Sequence, residues 1–299
     1  MPAGDSHYLD PDILQQLPNI ELLARRLVEG LFVGYHKSPF FGYSVEFVDH
    51  REYVPGDDVR NVDWRVWARR NSYYVKRFEM ESQLKAQVIL DTSKSMDYGE
   101  GRMTKLQYAS YLAASLVYLV IHQNDMAGLV TFDSEIKDYI PPRGARTHMR
   151  SILRVLESVQ PGPATDVPQV CHHLAETMKA RSMVILISDL LDDEGEIINA
   201  LRHFQHKKHD VVVFHVLDDS ELDLPFEELS NFRDLESGRR VAVDPATFRG
   251  EYRNRISTFC DSLKSGCQQT DIDYMLLRTS ATIESALTEY LRFRARRSR

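Results

Sequence analysis

AQVILDTSKSM, residues 86–96, joins a short apolar run directly to a group of oxygen-bearing side chains. The run Val88-Ile89-Leu90 is wholly apolar, which is typical of a strand that is buried on both faces of a sheet. Asp91 follows at once, and Ser93 and Ser95 come two and four residues later. Since ligands of open α/β sheets sit just beyond the carboxyl ends of the strands, this stretch predicts both a fold and the place of a site.

Further apolar runs follow, separated by stretches in which apolar residues recur at helical spacing. The runs cover residues 129–132, 183–187, 211–216 and 273–277. Residues 136–140 can return as a hairpin partner of the second strand across Asp133-Ser134. Repeated strand-then-helix units predict an α/β fold in which a mostly parallel central sheet is covered by helices on both faces.

The chain is predicted to have two parts. Residues 1–84 form an N-terminal extension, which begins with a helical pattern over residues 10–32. Residues 85–299 form the α/β domain. An insertion at about 218–244 interrupts this domain and is expected to carry a small hairpin across Ser237-Gly238.

Composition places the chain among ordinary globular proteins, with 43% hydrophobic and 27% charged residues in 299. A formal net charge of −7 argues against general nucleic-acid binding, which usually needs a basic face. The first residues show no signal-peptide pattern, and no apolar stretch has the length of a membrane span. Three cysteines without zinc-type spacing fit buried thiols, so a cytoplasmic location is expected.

Polar residues at the predicted strand ends form one candidate site. Asp91, Ser93 and Ser95 follow the first strand, Asp189 follows the run 183–187, and Thr165 lies in the loop between them. Carboxylates and hydroxyls are hard oxygen ligands, which suit Mg²⁺ or Mn²⁺ and do not suit Zn²⁺. Two carboxylates leave such an ion under-coordinated, so water or an incoming acidic group would have to complete its octahedron.

Each member of this cluster also has a purely structural interpretation. Asp91 alone could cap a helix, and Thr165 and Asp166 are equally good caps for the helix that follows them. Asp189 alone could be a solvated acid at the end of a strand. The combination favours a metal site, because all the pieces fall on one edge of the predicted sheet.

The pattern Asp91-x-Ser93-x-Ser95, with Thr165 and Asp189, resembles the metal-ion-dependent adhesion site of von Willebrand factor type A domains. The resemblance extends over about residues 86–293. It implies a Rossmann-like sheet with a short antiparallel third strand, and a bound Mg²⁺ that receives a carboxylate from a protein partner. One departure is Lys94, which stands where that family often has glycine.

The segment before the domain resembles the signature of the DUF58 family. The residues that carry this resemblance are Glu46-Phe47, Arg51-Glu52-Tyr53, Pro55-Gly56-Asp57-Asp58, Arg60, Asp63-Trp64, Ala68-Arg69, Tyr74-Val75-Lys76 and Phe78-Glu79. Members of that family join such a segment to a type A-like domain. Many are encoded beside MoxR-type AAA+ ATPases, which the resemblance suggests as a partner. Physically, the segment around Trp64 is interpreted as a clamp on the domain, with a partner-contact surface as the alternative.

Three functions remain open on the sequence. The favoured one is a non-catalytic, metal-dependent binding module or adaptor that acts with a MoxR-type ATPase in assembling or remodelling other proteins. The alternatives are a metal-dependent hydrolase or phosphatase that uses the same cluster, and a structural domain with an empty site. No P-loop or nucleophile elbow is present, and the histidines at 172, 173, 203, 206 and 209 lack partners spaced for a zinc site.

Overall fold

The computed structural model describes residues 20–34, 47–54, 66, 73–78, 83–101, 103–163, 165–227, 230–233 and 240–297. The chain divides into a larger unit, residues 1–40 and 85–299, and a smaller unit, residues 41–84. The first helix therefore belongs with the α/β domain, whereas the sequence analysis grouped it with the extension.

In the smaller unit, strand β1 (Phe47–Glu52) pairs antiparallel with strand β2 (Tyr74–Phe78). Both strands lie within the segment that carries the DUF58 resemblance. Trp64 and the loop proposed as a clamp lie outside the described residues.

The larger unit alternates strands and helices along most of its length. Its strands are β3 (Lys85–Asp91), β4 (Met126–Phe132), β5 (Ile136–Arg143), β6 (Met183–Ser188), β7 (Asp210–Leu217), β8 (Ser230–Arg233), β9 (Arg240–Val243) and β10 (Asp273–Arg278). Its helices are α1 (Ile20–Gly34), α2 (Lys105–His122), α3 (Arg146–Ser158), α4 (Val167–Thr177), α5 (Glu194–His206), α6 (Asp219–Asp223), α7 (Pro245–Gln269) and α8 (Ile283–Arg297). A short 3₁₀ helix spans Lys94–Asp97.

Six strands form one sheet in the order β10-β7-β6-β3-β4-β5. All neighbours are parallel except β4 and β5, which form the antiparallel hairpin expected across Asp133-Ser134. Val88 is paired with Leu129 on one side and with Ile185 on the other, so the three central apolar runs lie side by side. The prediction of one mostly parallel sheet is confirmed.

Helices cover both faces of this sheet, which explains why the central strands are almost entirely apolar. On one face, Ile89 and Val213 lie in a core built with helices α4, α5 and α7. On the other face, Phe214 packs edge-on against Tyr290 of α8, with the ring centroids 5.2 Å apart. Helix α2 is buried on nearly all sides because it lies between the sheet and α1.

The segment predicted to be an insertion begins with helix α6, which the sequence did not predict, and β8 and β9 then pair antiparallel as a hairpin. The turn at Ser237-Gly238 lies outside the described residues. Among the residues that are described, no helix has the length and apolar character needed to cross a membrane.

Candidate metal-binding site at the sheet edge

The carboxyl ends of β3 and β6 place two acidic residues at one edge of the sheet. Asp91 is the last residue of β3, and Asp189 directly follows β6. Because the two strands are parallel neighbours, their ends meet, and both side chains are completely buried. The structure therefore brings together the two carboxylates that the sequence analysis assigned to the site.

Both oxygens of the Asp91 carboxylate accept hydrogen bonds. The backbone N–H of Ser93 donates to Oδ1 at 2.9 Å, and the hydroxyl of Ser188 donates to Oδ2 at 2.6 Å. Thr165 Oγ1 lies 3.5 Å from Oδ2, which is a weak contact. The hydroxyls of Ser93 and Ser95 lie 3.0 Å apart. All the predicted residues that follow β3, and Thr165, therefore gather around Asp91.

The structure shows which of the two candidate residues, Thr165 or Asp166, caps helix α4. Asp166 is the cap residue, and its carboxylate accepts the N–H of Gln169 at 2.9 Å. Thr165 is thus released from capping and can direct its hydroxyl toward Asp91. The N–H of Gly162 donates to the backbone oxygen of Thr92 at 2.6 Å, which fixes this loop against the end of β3.

Burial makes the negative charges of these two neighbouring carboxylates unfavourable. Desolvation, together with the nearby charge of Asp189, raises the pKa of Asp91 to about 7, although the bonds from Ser188 and Ser93 act in the opposite direction. An acid in this position gains stability from a proton or from a nearby cation. The site is therefore electrostatically suited to a positive ion.

Lys105, the first residue of α2, supplies one cation that the sequence analysis did not identify. Its ammonium lies 2.7 Å from Asp189 Oδ2 and 2.6 Å from Glu221 Oε1, and its side chain is completely buried. Burial alone would lower the pKa of Lys105, but the charges of Asp189 and Glu221 outweigh it and the net direction is upward. The helix dipole disfavours a lysine in the first turn of a helix. This unfavourable position was the sequence signal that Lys105 has a role other than stabilising its own helix.

The end of β7 supports Asp189 from the other side. His215 Nε2 donates to the backbone oxygen of Asp189 at 2.8 Å, and Nδ1 accepts from the hydroxyl of Tyr274 at 2.6 Å. Among the described residues, Asp189 Oδ1 has only a long contact of 3.5 Å, to the N–H of Leu191. Lys105 and His215 therefore fix the position of Asp189 and leave Oδ1 as its least satisfied oxygen.

This donor set fits Mg²⁺ chemically. Neighbouring ligands of an octahedral Mg²⁺, at metal–oxygen distances of about 2.0–2.1 Å, lie about 2.8–3.0 Å apart. The Ser93 and Ser95 hydroxyls, 3.0 Å apart, have that spacing. Among the described residues no group of three His, Cys, Asp or Glu side chains could hold a metal. Ligation at this edge would therefore depend on hydroxyl oxygens in addition to Asp91 and Asp189.

Two of the five histidines that lack zinc-type spacing form a separate pair. The Nδ1 atoms of His172 and His203 lie 3.1 Å apart, and His203 Nε2 lies 2.8 Å from Glu176. One imidazole can donate to the other, so the contact is satisfied without a metal. The three cysteines are buried and unpaired, as expected.

The sheet order, the antiparallel edge strand β5 and the polar cluster at Asp91 define a von Willebrand factor type A-like domain. A family model described as "Protein of unknown function DUF58" matches residues 49–258. The chain belongs to the DUF58 family.

Relatives and solved structures agree with this classification. An uncharacterized protein from Mycobacterium tuberculosis (strain ATCC 25618 / H37Rv) is 29% identical over 244 residues, which cover 79% of this chain and 76% of that protein. An uncharacterized protein from Mycobacterium bovis matches to the same extent. The conserved hypothetical protein BatB from Bacteroides thetaiotaomicron aligns with a TM-score of 0.50 and 19% identity over 71% of this chain and 99% of BatB, which shows a shared fold.

Proposed function

We propose that this chain is a protein-binding module that contacts its partner through a Mg²⁺ or Mn²⁺ ion held by Asp91, Ser93, Ser95, Thr165 and Asp189. The observation that carries the proposal is the environment of Asp91. A fully buried carboxylate with a raised pKa lies among hydroxyls and beside a second carboxylate, and this arrangement favours a cation.

When bound, the ion would supply positive charge and open coordination positions for an acidic side chain. Lys105 already neutralises part of the charge of Asp189. The protein ligands would therefore not fully compensate a divalent ion, and a carboxylate from a partner would be attracted. Lys94, half-buried at the rim, would add to this attraction.

The partner that we propose is a MoxR-type AAA+ ATPase or one of its client proteins. Support comes from membership of the DUF58 family and from the acidic-ligand chemistry of the site. In this role the chain would be an adaptor in the assembly or remodelling of other proteins.

A metal-dependent hydrolase is the second candidate. The observation in its favour is that the pKa of Asp91 is raised to about 7, which is the range of a general acid or base. Against it, both oxygens of Asp91 already accept hydrogen bonds, from Ser93 and Ser188. We therefore propose binding without catalysis.

One pull-down and one activity assay separate these candidates. The purified chain is incubated with a MoxR-type ATPase in Mg²⁺ or in EDTA, using the wild type, Ser93→Ala, Thr165→Ala and the control Ser134→Ala. Ser134 is an exposed hydroxyl residue in the β4–β5 turn. We expect capture in Mg²⁺, release in EDTA, and weaker capture only with the two site variants.

Metal-dependent hydrolysis of p-nitrophenyl phosphate that Asp91→Ala abolishes would favour the hydrolase instead. Capture that EDTA leaves unchanged would place the interface elsewhere on the chain.

A further inference from the structure

The two edges of the central sheet are built differently. At one edge, β5 carries exposed Lys137 and two consecutive prolines, Pro141 and Pro142, in its carboxyl half. Proline has no N–H to donate, and charged side chains discourage further strand pairing, so this edge is protected. At the other edge, β10 has the sequence DYMLLR, without proline, and Leu276 is 39% exposed.

A groove of about 570 Å³ runs beside β10. Its strand-side wall is formed by Tyr274, Met275 and Leu276, and its other walls come from α7 and α8, which flank the strand. The residues contributed by the helices are Cys260, Asp261, Lys264, Gln268, Glu289 and Phe293. No described strand pairs with the outer edge of β10. The groove lies along this strand between α7 and α8, which both contribute to its lining.

The charged and apolar side chains that line the groove indicate which kind of ligand would bind there. The groove is lined by three acidic residues, Asp261, Asp271 and Glu289, against one lysine, Lys264. Neither Asp261 nor Glu289 forms an ion pair with another described residue. Phe293, 42% exposed, adds apolar surface at the rim. An occupant with both basic and apolar side chains would complement this lining.

We propose that this groove binds an extended segment of a partner protein that carries alternating basic and apolar residues and adds to β10 as a seventh strand. Backbone hydrogen bonds to the open edge would give affinity, and alternate side chains would reach the acidic rim and the apolar wall. Asp271 and Ile272 precede β10, so the groove extends to the amino end of that strand, away from the carboxyl-end site at Asp91. The inference is independent of the proposed metal-dependent function.

The test uses the full chain and a fluorescein-labelled peptide of sequence KVKVKVK, measured by fluorescence anisotropy in EDTA. The comparison peptides are EVEVEVE, which reverses the charge, and KVKPKVK, which interrupts backbone pairing. We expect only KVKVKVK to bind, with affinity that falls as salt is added. Hydrogen exchange should slow in residues 273–278 when it is bound.

Two variants locate the binding on the protein. Leu276→Arg places a cation in the groove and should weaken binding by about tenfold or more, because it repels the basic peptide. Tyr139→Arg is the matched control, since Tyr139 is similarly exposed, at 45%, but lies on β5 at the opposite edge. Glu289→Gln should weaken binding and reduce its salt dependence.

Several results would overturn the proposal. One is absence of KVKVKVK binding, and another is equal loss of binding in Leu276→Arg and Tyr139→Arg. A dimer in solution that Leu276→Arg dissociates would mean that a second copy of this chain occupies the groove.

Discussion

The ammonium of Lys105 lies 2.7 Å from Asp189 and 2.6 Å from Glu221, in a position without solvent exposure. Lys105 begins α2, Asp189 follows β6, and Glu221 lies in α6. One side chain thus joins the edge of the sheet at Asp91 to the segment after β7. Because Asp189 is fully buried and Glu221 is only 17% exposed, removal of the ammonium would leave uncompensated negative charge inside the protein.

Lys105→Met should therefore destabilise the protein strongly. Breaking a buried ion pair by removing one partner costs about 3–5 kcal/mol, measured as a lower free energy of unfolding in urea with EDTA present. Lys207→Met is the control, because Lys207 and its partner Glu176 are both exposed, and it should change the free energy of unfolding little. In a double-mutant cycle, Asp189→Asn should recover part of the loss. Equal effects of the two lysine variants would contradict the internal counter-ion role.

Mg²⁺ should raise the melting temperature of the wild type. A ligand that binds only the native state stabilises it by about 2.7 kcal/mol at one hundred times its dissociation constant. Asp91→Ala should abolish this shift without unfolding the protein, because the surrounding apolar strands remain. Asp97→Asn, a change of an exposed acid in the adjacent 3₁₀ helix, should keep it. If neither calorimetric titration nor melting of the wild type responds to Mg²⁺, the site does not bind the ion.

Local patterns were sufficient to predict the sheet and the position of the candidate site. Val88-Ile89-Leu90 is apolar on both faces because helices cover both faces, and this cause is visible in the residues themselves. Parallel strands place Asp91 and Asp189 on one edge of the sheet, and they meet because β3 and β6 are direct neighbours. The helix cap could not be assigned in advance, since Thr165 and Asp166 have equal capping ability, and the three-dimensional position of Asp91 distinguishes them.

The contacts that support the site could not be predicted, because they join residues far apart in the chain. Lys105 and Asp189 are separated by 84 positions, and the first-turn position of Lys105 indicates an unusual lysine but not the residues with which it pairs. The helical pattern over residues 10–32 likewise predicted a helix, but not which surface would cover Leu23 and Leu27, which are buried. That surface is helix α2, and α1 therefore belongs to the larger unit.

Acid should weaken the fold through His215. Burial lowers the pKa of His215 to about 4 from an ordinary value of 6.5. As pH falls through this window, the unfolded chain takes up the proton first, so the free energy of unfolding decreases, by up to about 3 kcal/mol in total. His215→Gln should remove this part of the pH dependence in urea unfolding at pH 7.5 and pH 5. An unchanged slope in the variant would show that His215 is not its source.

Titration of Asp91 should change the free energy of unfolding in the opposite direction over nearly the same pH range. Burial, followed by the charge of Asp189, raises the pKa of Asp91 from 3.8 to about 7. As pH rises from about 4 to about 7, the unfolded chain releases its proton first, so this contribution lowers the stability of the metal-free protein. Asp91→Asn should remove that loss when unfolding is followed in EDTA. The two single variants must be compared separately, because in the wild type the effects of His215 and Asp91 partly cancel.

Gly162 holds the loop that carries Thr165 against the end of β4. A Cβ at this position would lie 2.7 Å from Cβ and Cγ of Asp133, and closer still to its Oδ2. Asp133 is itself buried, and its Oδ1 accepts the N–H of Glu135, so it has little freedom to move away. Gly162→Ala should therefore push the loop outward and cost about 1–3 kcal/mol of unfolding free energy.

The same displacement should move Thr165 away from Asp91 and reduce the increase in melting temperature that Mg²⁺ produces. Gly250→Ala is the matched control, because a Cβ at that position in α7 meets nothing within 4 Å. In a helix interior, alanine is favoured over glycine by about 1 kcal/mol, so the control should be slightly more stable than the wild type and respond normally to Mg²⁺. If Gly162→Ala retained both its stability and its Mg²⁺ response, close packing of this loop against Asp133 would not be what positions Thr165.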